Sequence, residues 1–163
     1  MTRASELPMR QNPTLLILAL APFYRLGEPI SYALLRATYG VIMVTHGLPK
    51  LLGQSHGSMA DPMAASINLI QNVLHLPMPG LIGLLVALLE GVGGLLLALG
   101  LGTRLLAAMM GIQMLTIASI LGPTWPWIDR GIEYPVLMAF LSLYILFRGA
   151  GRYSLDHTLG REL

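Results

Sequence analysis

Residues 81–102 read LIGLLVALLEGVGGLLLALGLG. The stretch is long enough to cross a bilayer as a helix, which takes about 20 predominantly apolar residues. It has one ionisable residue, Glu90, near its centre. A charge at mid-membrane costs roughly 2.5–3.5 kcal/mol on insertion scales, whereas each Leu, Ile or Val contributes about −0.3 to −0.6 kcal/mol. The leucines, with Ile82, Val86 and Val92, outweigh the glutamate, and a protonated or paired carboxyl would cost less still. The segment therefore reads as a transmembrane helix with a buried acid. The glycines after Glu90 allow a second helix to approach closely.

Three further stretches have the same character: about 30–49, 104–122 and 131–149. The chain of 163 residues is 55% hydrophobic and only 11% charged, against about 25% charged in soluble domains. The expected fold is all-α, a polytopic membrane protein whose four transmembrane helices form one bundle over 30–149. Residues 1–29 would be an N-terminal cytoplasmic or interfacial segment, and 150–163 a cytoplasmic tail. Residues 50–79 read as a long outer loop, and Gly102-Thr103 as a tight hairpin. Trp125 and Trp127 sit in a short loop where aromatic side chains suit the membrane interface. Segment 13–24, PTLLILALAPFY, is too short to span. It reads either as an interfacial helix or as a cleaved signal, with the charge distribution favouring the former.

Orientation follows from the basic residues. With the N-terminus inside, Arg3, Arg10, Arg25, Arg104, Arg148, Arg152 and Arg161 are cytoplasmic, and only Lys50 and Arg130 are outside. The bias puts both termini inside, in the cell (inner or plasma) membrane. The chain has no cysteine, so disulfide, thiol-redox and thiolate-metal chemistry are excluded. No basic run points to nucleic acid. His56, Asp61 and His75 match no metal-binding spacing, and no metal is expected. Ser154 and Asp156 lack the context of a hydrolase nucleophile. No catalytic motif stands by itself.

The first span, RATYGVIMVTHGLPKLL at 36–52, carries most of the remaining polarity. On a helix turning about 100° per residue, Arg36, Tyr39, His46 and Lys50 fall on one stripe about 80° wide. That stripe should face the protein interior, because intramembrane ionisable groups pair with one another and mark binding sites, relays or pathways. From estimated depths, the expected partners are Arg36 with Glu90, joined by Gln113, and His46 and Lys50 with Glu133.

Three motifs then occur in order: HGLPKL at 46–51, EGVGGLLLALGLGTR at 90–104 and GAGRYSLD at 149–156, with Glu133-Tyr134 opening the last span. Together they resemble the DoxX family of small four-helix membrane proteins. The resemblance covers about 30–156. It carries over His46, Gly47, Lys50, Glu90, Gly94, Thr103, Arg104, Glu133, Gly151, Arg152, Tyr153, Ser154 and Asp156 as family positions. It implies a subunit associated with a quinol oxidase or another membrane redox complex, without a general catalytic mechanism. The 149–156 motif reads as a structural terminator, in which glycines stop the last span, Arg148 and Arg152 meet anionic headgroups and Asp156 caps the short segment that follows.

The resulting expectation is a non-catalytic membrane subunit of a redox or quinone-linked assembly. Its partners are the lipid bilayer, other subunits and further copies of itself, and its polar pocket would take a quinone headgroup. The rival expectations are a small-molecule or proton-coupled transporter and a purely structural assembly protein.

Overall fold

The computed structural model describes residues 15–162 and is helical throughout, with no strand ladder among the described residues. Helix α1 (Ala21–Leu52) is followed by α2 (Pro62–Asn72). Helices α3 (Pro79–Leu88) and α4 (Gly94–Leu99) are joined by a π-turn, Leu89–Gly93. They form one rod, Pro79–Leu99. Helices α5 (Thr103–Leu121), α6 (Glu133–Arg148) and α7 (Leu155–Leu159) complete the chain.

The boundaries have local causes. Proline, which fits the first turn of a helix where its missing N–H is not needed, stands there in α1, α2 and α3. Asp61 accepts the Ala64 N–H at 2.8 Å and so caps α2. Gly53 and Gly100 end α1 and α4 with positive φ, a conformation that is free of steric cost only for glycine.

Three of these elements differ from the sequence expectation. The first helix starts at Ala21, well before residue 30, led in by a 3-10 turn at Leu18–Leu20. Residues 21–24 are therefore part of α1, and the start of the 13–24 segment lies outside the described residues. The loop expected over 50–79 contains α2, whose Met63, Ile67 and Ile70 pack onto α3 at Gly83. The second span is not a uniform α-helix, because the π-turn inserts an extra residue at Glu90.

Helix α1 lies antiparallel to the rod and nearly touches its backbone. A Cβ on Gly47 would fall on the Gly91 nitrogen and come within 2.6 Å of Glu90 Cβ. A Cβ on Gly94 would lie 2.7 Å from the Gly40 carbonyl oxygen. Small residues at such crossings maximise van der Waals contact where surrounding lipid offers no hydrophobic drive for association. On the other side of the bundle α5 packs against α6, with Gly111 facing Ser142. Tyr39, Met43, Leu97, Met110 and Ile145 fill the centre.

Apolar residues also dominate the outside. Leu34, Val41, Leu85, Val92, Ile112, Leu115, Leu137 and Phe140 are exposed, while Arg36, Glu90, Thr103, Ser142 and Asp156 are buried. The rod and α5 are each long and apolar enough to cross a membrane, yet only 39% and 22% of their most apolar windows is buried. The core helix of a soluble protein would bury most of that surface.

Candidate functional site

The register of α1 against the rod decides which charges meet. Gly47 sits opposite Gly91, so Lys50, one turn later on α1, faces Glu90, one residue earlier on the rod. Lys50 Nζ donates to both Glu90 oxygens, at 2.9 Å to Oε1 and 2.7 Å to Oε2. Gln113 Nε2, from the middle of α5, donates to Glu90 Oε1 at 2.6 Å. Glu90 is 4% exposed. It lies about 16 Å along the rod from Pro79 and about 14 Å from Leu99, near the middle of a hydrocarbon layer about 30 Å thick. The π-turn turns the side chains that follow it by about 100° relative to those before. Such single turns are found frequently at functional sites.

Most of the node is satisfied, but not all of it. The Gln113 carbonyl oxygen, Oε1, is buried and has no hydrogen-bond partner. Lys50 carries three N–H donors, of which the glutamate takes two. The node therefore offers an open acceptor and a spare donor beside a neutralised ion pair. That combination suits a group that can both accept and donate a hydrogen bond.

The expected pairing of Arg36 with Glu90 is not formed. Arg36 is 2% exposed and lies at the other end of the rod. Its Nε donates to the Leu97 carbonyl at 3.1 Å, and its Nη atoms donate to the carbonyls of Ala150 and Tyr153, the latter at 2.7 Å. The guanidinium thus satisfies the C-terminal carbonyls of the rod, where the helix dipole favours a cation, and ties them to the chain after α6. The outer group of His46 and Lys50 with Glu133 is not formed either. Glu133 accepts the Trp127 backbone N–H at 2.9 Å, pinning the turn before its own helix. His46 is exposed on α1, and its ring meets that of His56 edge-on at 4.8 Å. Tyr39 turns to α6 and shares a 2.6 Å hydrogen bond with Ser142 Oγ. Both expected pairings placed α1 by counting residues from assumed membrane boundaries, and the glycine contacts set a different register.

The motif residues 90–104 and 149–156 interlock. Asp156 accepts the N–H groups of Gly102 at 2.9 Å and Thr103 at 3.0 Å, so it caps α5. The expectation that it caps its own short segment is corrected: Ser154 does that, accepting the His157 N–H at 3.1 Å. Burial pushes the Asp156 carboxyl up, but the two backbone donors and the nearby Arg36 outweigh it and hold it below the usual carboxylate range. Arg104 donates to the carbonyls of Leu146 at 2.7 Å and Phe147 at 3.1 Å, and it pairs with Glu162. Gly151 has positive φ and passes close to the Tyr32 ring. Arg152 and Tyr153 are exposed, the guanidinium lying over the Tyr153 ring.

Ser142, Gly40 and His56 were missed as partners in the sequence. Gly40 and Gly47 are one heptad apart on α1, a spacing that could have revealed the contact with the rod. Asp61 is committed to capping α2, and among the described residues no group of three or more His, Asp or Glu side chains could hold a metal.

The DoxX family model matches residues 31–123. Neither the curated proteins nor the solved structures gave a match. The family match and the outward-facing apolar surface make the chain an integral membrane protein.

Proposed function

Because the chain belongs to the DoxX family, we propose that it is a four-span membrane subunit of a redox or quinone-linked assembly, with Lys50, Glu90 and Gln113 forming the site for a quinone headgroup. The four spans are α1, the rod, α5 and α6. Both termini lie on the cytoplasmic side of the plasma membrane, where the arginines concentrate. The observation that carries the site is the buried, unpartnered Gln113 Oε1 beside the Lys50–Glu90 pair. A buried carbonyl without a donor is costly, and a hydroxyl of the reduced form, the quinol, would supply that donor. The spare Lys50 N–H would bind a carbonyl of the oxidised form. A quinone would supply reversible electron and proton transfer, while Lys50, Glu90 and Gln113 of this chain hold and orient it.

The test is extraction of protein purified in mild detergent, with bound quinone measured by mass spectrometry. Near-stoichiometric quinone in the wild type, lost in Gln113→Leu and Glu90→Gln, supports the site. Equal quinone in all three proteins would refute it.

A second reading is favoured by the backbone contact at Gly47, one turn from Lys50. In that reading the node only locks α1 to the rod, and the protein acts as an assembly scaffold. The exchange Lys50→Glu with Glu90→Lys would then restore both folding and function. Restored folding without function would leave the ligand site as the better account.

A further inference from the structure

The end of the bundle that carries Asp156 holds a cavity of about 750 Å³. Arg148, Arg152, Arg161 and His157 line it, together with the Ala150–Gly151 backbone. The two carboxylates in its wall are already committed. Asp156 accepts the two N–H groups that open α5, and Glu162 accepts from Ala150 N and from Arg104. Arg148 pairs with Glu28 and lies over the Tyr32 ring. Arg152 and Arg161, in contrast, have no carboxylate within salt-bridge reach among the described residues. The wall is therefore cationic, with two guanidinium groups available. Their planar forks suit phosphate oxygens.

Two observations say what kind of phosphate fits. The volume exceeds what a single phosphate ion fills. The last two turns of α6, which lead into the cavity, expose Leu143, Tyr144 and Phe147. A ligand with a phosphate at one end and hydrocarbon at the other would match both surfaces.

We propose that this cavity binds the phosphate of an anionic phospholipid, with the acyl chains along the exposed face of α6. This site is separate from the Lys50–Glu90–Gln113 node and does not depend on what that node binds. It is also more specific than a general attraction of arginines to headgroups, because the turn after α7, where Arg161 N donates to the Asp156 carbonyl, brings Arg161 into the same cavity as Arg148 and Arg152.

The experiment uses the full chain, delipidated in mild detergent, with phosphatidylglycerol and phosphatidylcholine titrated separately and single-lipid adducts counted by native mass spectrometry. The wild type should bind phosphatidylglycerol at least about tenfold more tightly than phosphatidylcholine, and high salt should erase the difference. Arg152→Gln with Arg161→Gln should weaken phosphatidylglycerol binding by about thirty-fold, at roughly fivefold per arginine. Phosphatidylcholine binding and thermal stability should be unchanged, since neither side chain holds the fold together. Equal affinity of the wild type for the two lipids would overturn the proposal whatever the variant does. So would undiminished phosphatidylglycerol binding by a folded double variant. Binding of inorganic phosphate as tight as that of phosphatidylglycerol, at matched ionic strength, would reassign the cavity to free phosphate and overturn the lipid assignment.

Discussion

Gly47→Ala tests the helix contact from which the polar node follows. In an isolated helix the substitution is favourable by up to about 1 kcal/mol, because alanine loses less backbone entropy than glycine. Here the added Cβ would fall on the Gly91 nitrogen and lie 2.6 Å from Glu90 Cβ. Carbon atoms in ordinary contact stand about 3.5–4.0 Å apart, so α1 must move from the rod by at least about 1 Å. The obstacle is backbone, and no rotamer change relieves it. Overpacking of this kind costs about 1–3 kcal/mol. The displacement also loosens the Lys50–Glu90 bonds one turn away, in a setting where disrupting a buried pair costs about 3–5 kcal/mol when it is complete. A net loss of about 2–4 kcal/mol is expected. Gly27→Ala is the matched control: it lies in the same helix with nothing within 4 Å of its Cβ position, and it should be neutral or stabilising. The assay is equilibrium unfolding in mixed detergent micelles, followed by circular dichroism. If Gly47→Ala is as stable as Gly27→Ala, the backbone contact between α1 and the rod is wrong, and with it the register that brings Lys50 to Glu90.

Further outcomes follow from the same geometry. Lys50→Met should destabilise by about 3–5 kcal/mol, because it leaves Glu90 buried without a counter-charge, whereas Lys50→Met with Glu90→Leu should recover most of the loss in the same unfolding assay. Arg36→Met strips donors from the carbonyls of Leu97, Ala150 and Tyr153; it should lower the melting temperature and expose the chain after residue 149 to added protease. Asp156→Asn should weaken the cap on α5 by about 1 kcal/mol. The Asp156 carboxyl is held low in the folded state, so its contribution is fully present above its unfolded value near pH 3.9 and is lost as pH falls through the lower folded value. The wild type should therefore lose stability in acid below about pH 4, and Asp156→Asn should lack that component.

Much of this architecture is legible along the chain. The apolar run at 81–102 and the glycines after Glu90 each express a local requirement: satisfaction of backbone groups in lipid and close helix approach. The inward stripe of Arg36, Tyr39 and Lys50 follows from helical periodicity alone, and Gln113 beside Glu90 follows from both lying near mid-span. His46 does not obey the stripe. It stays exposed because the α1–rod contact runs through Gly40 and Gly47, and that contact sets how the helix is rotated.

Pairing belongs to tertiary structure. Arg36 and Lys50 are both cations on one face of α1, and either could have neutralised Glu90 on sequence grounds. The backbone contact of Gly47 with Gly91 puts Lys50 within 2.7 Å of the carboxylate and carries Arg36 to the carbonyls at the far end of the rod. Asp156 likewise stands three residues ahead of Leu159 in sequence, yet it caps a helix that begins at Thr103. The sequence by itself determined that Arg36 and Glu90 must be buried and that each buried charge needs a partner. Only the packing of the helices decided which partner, because a shift of one helical turn, about 5.4 Å, exceeds the reach of a hydrogen bond and leaves the hydrophobic pattern unchanged.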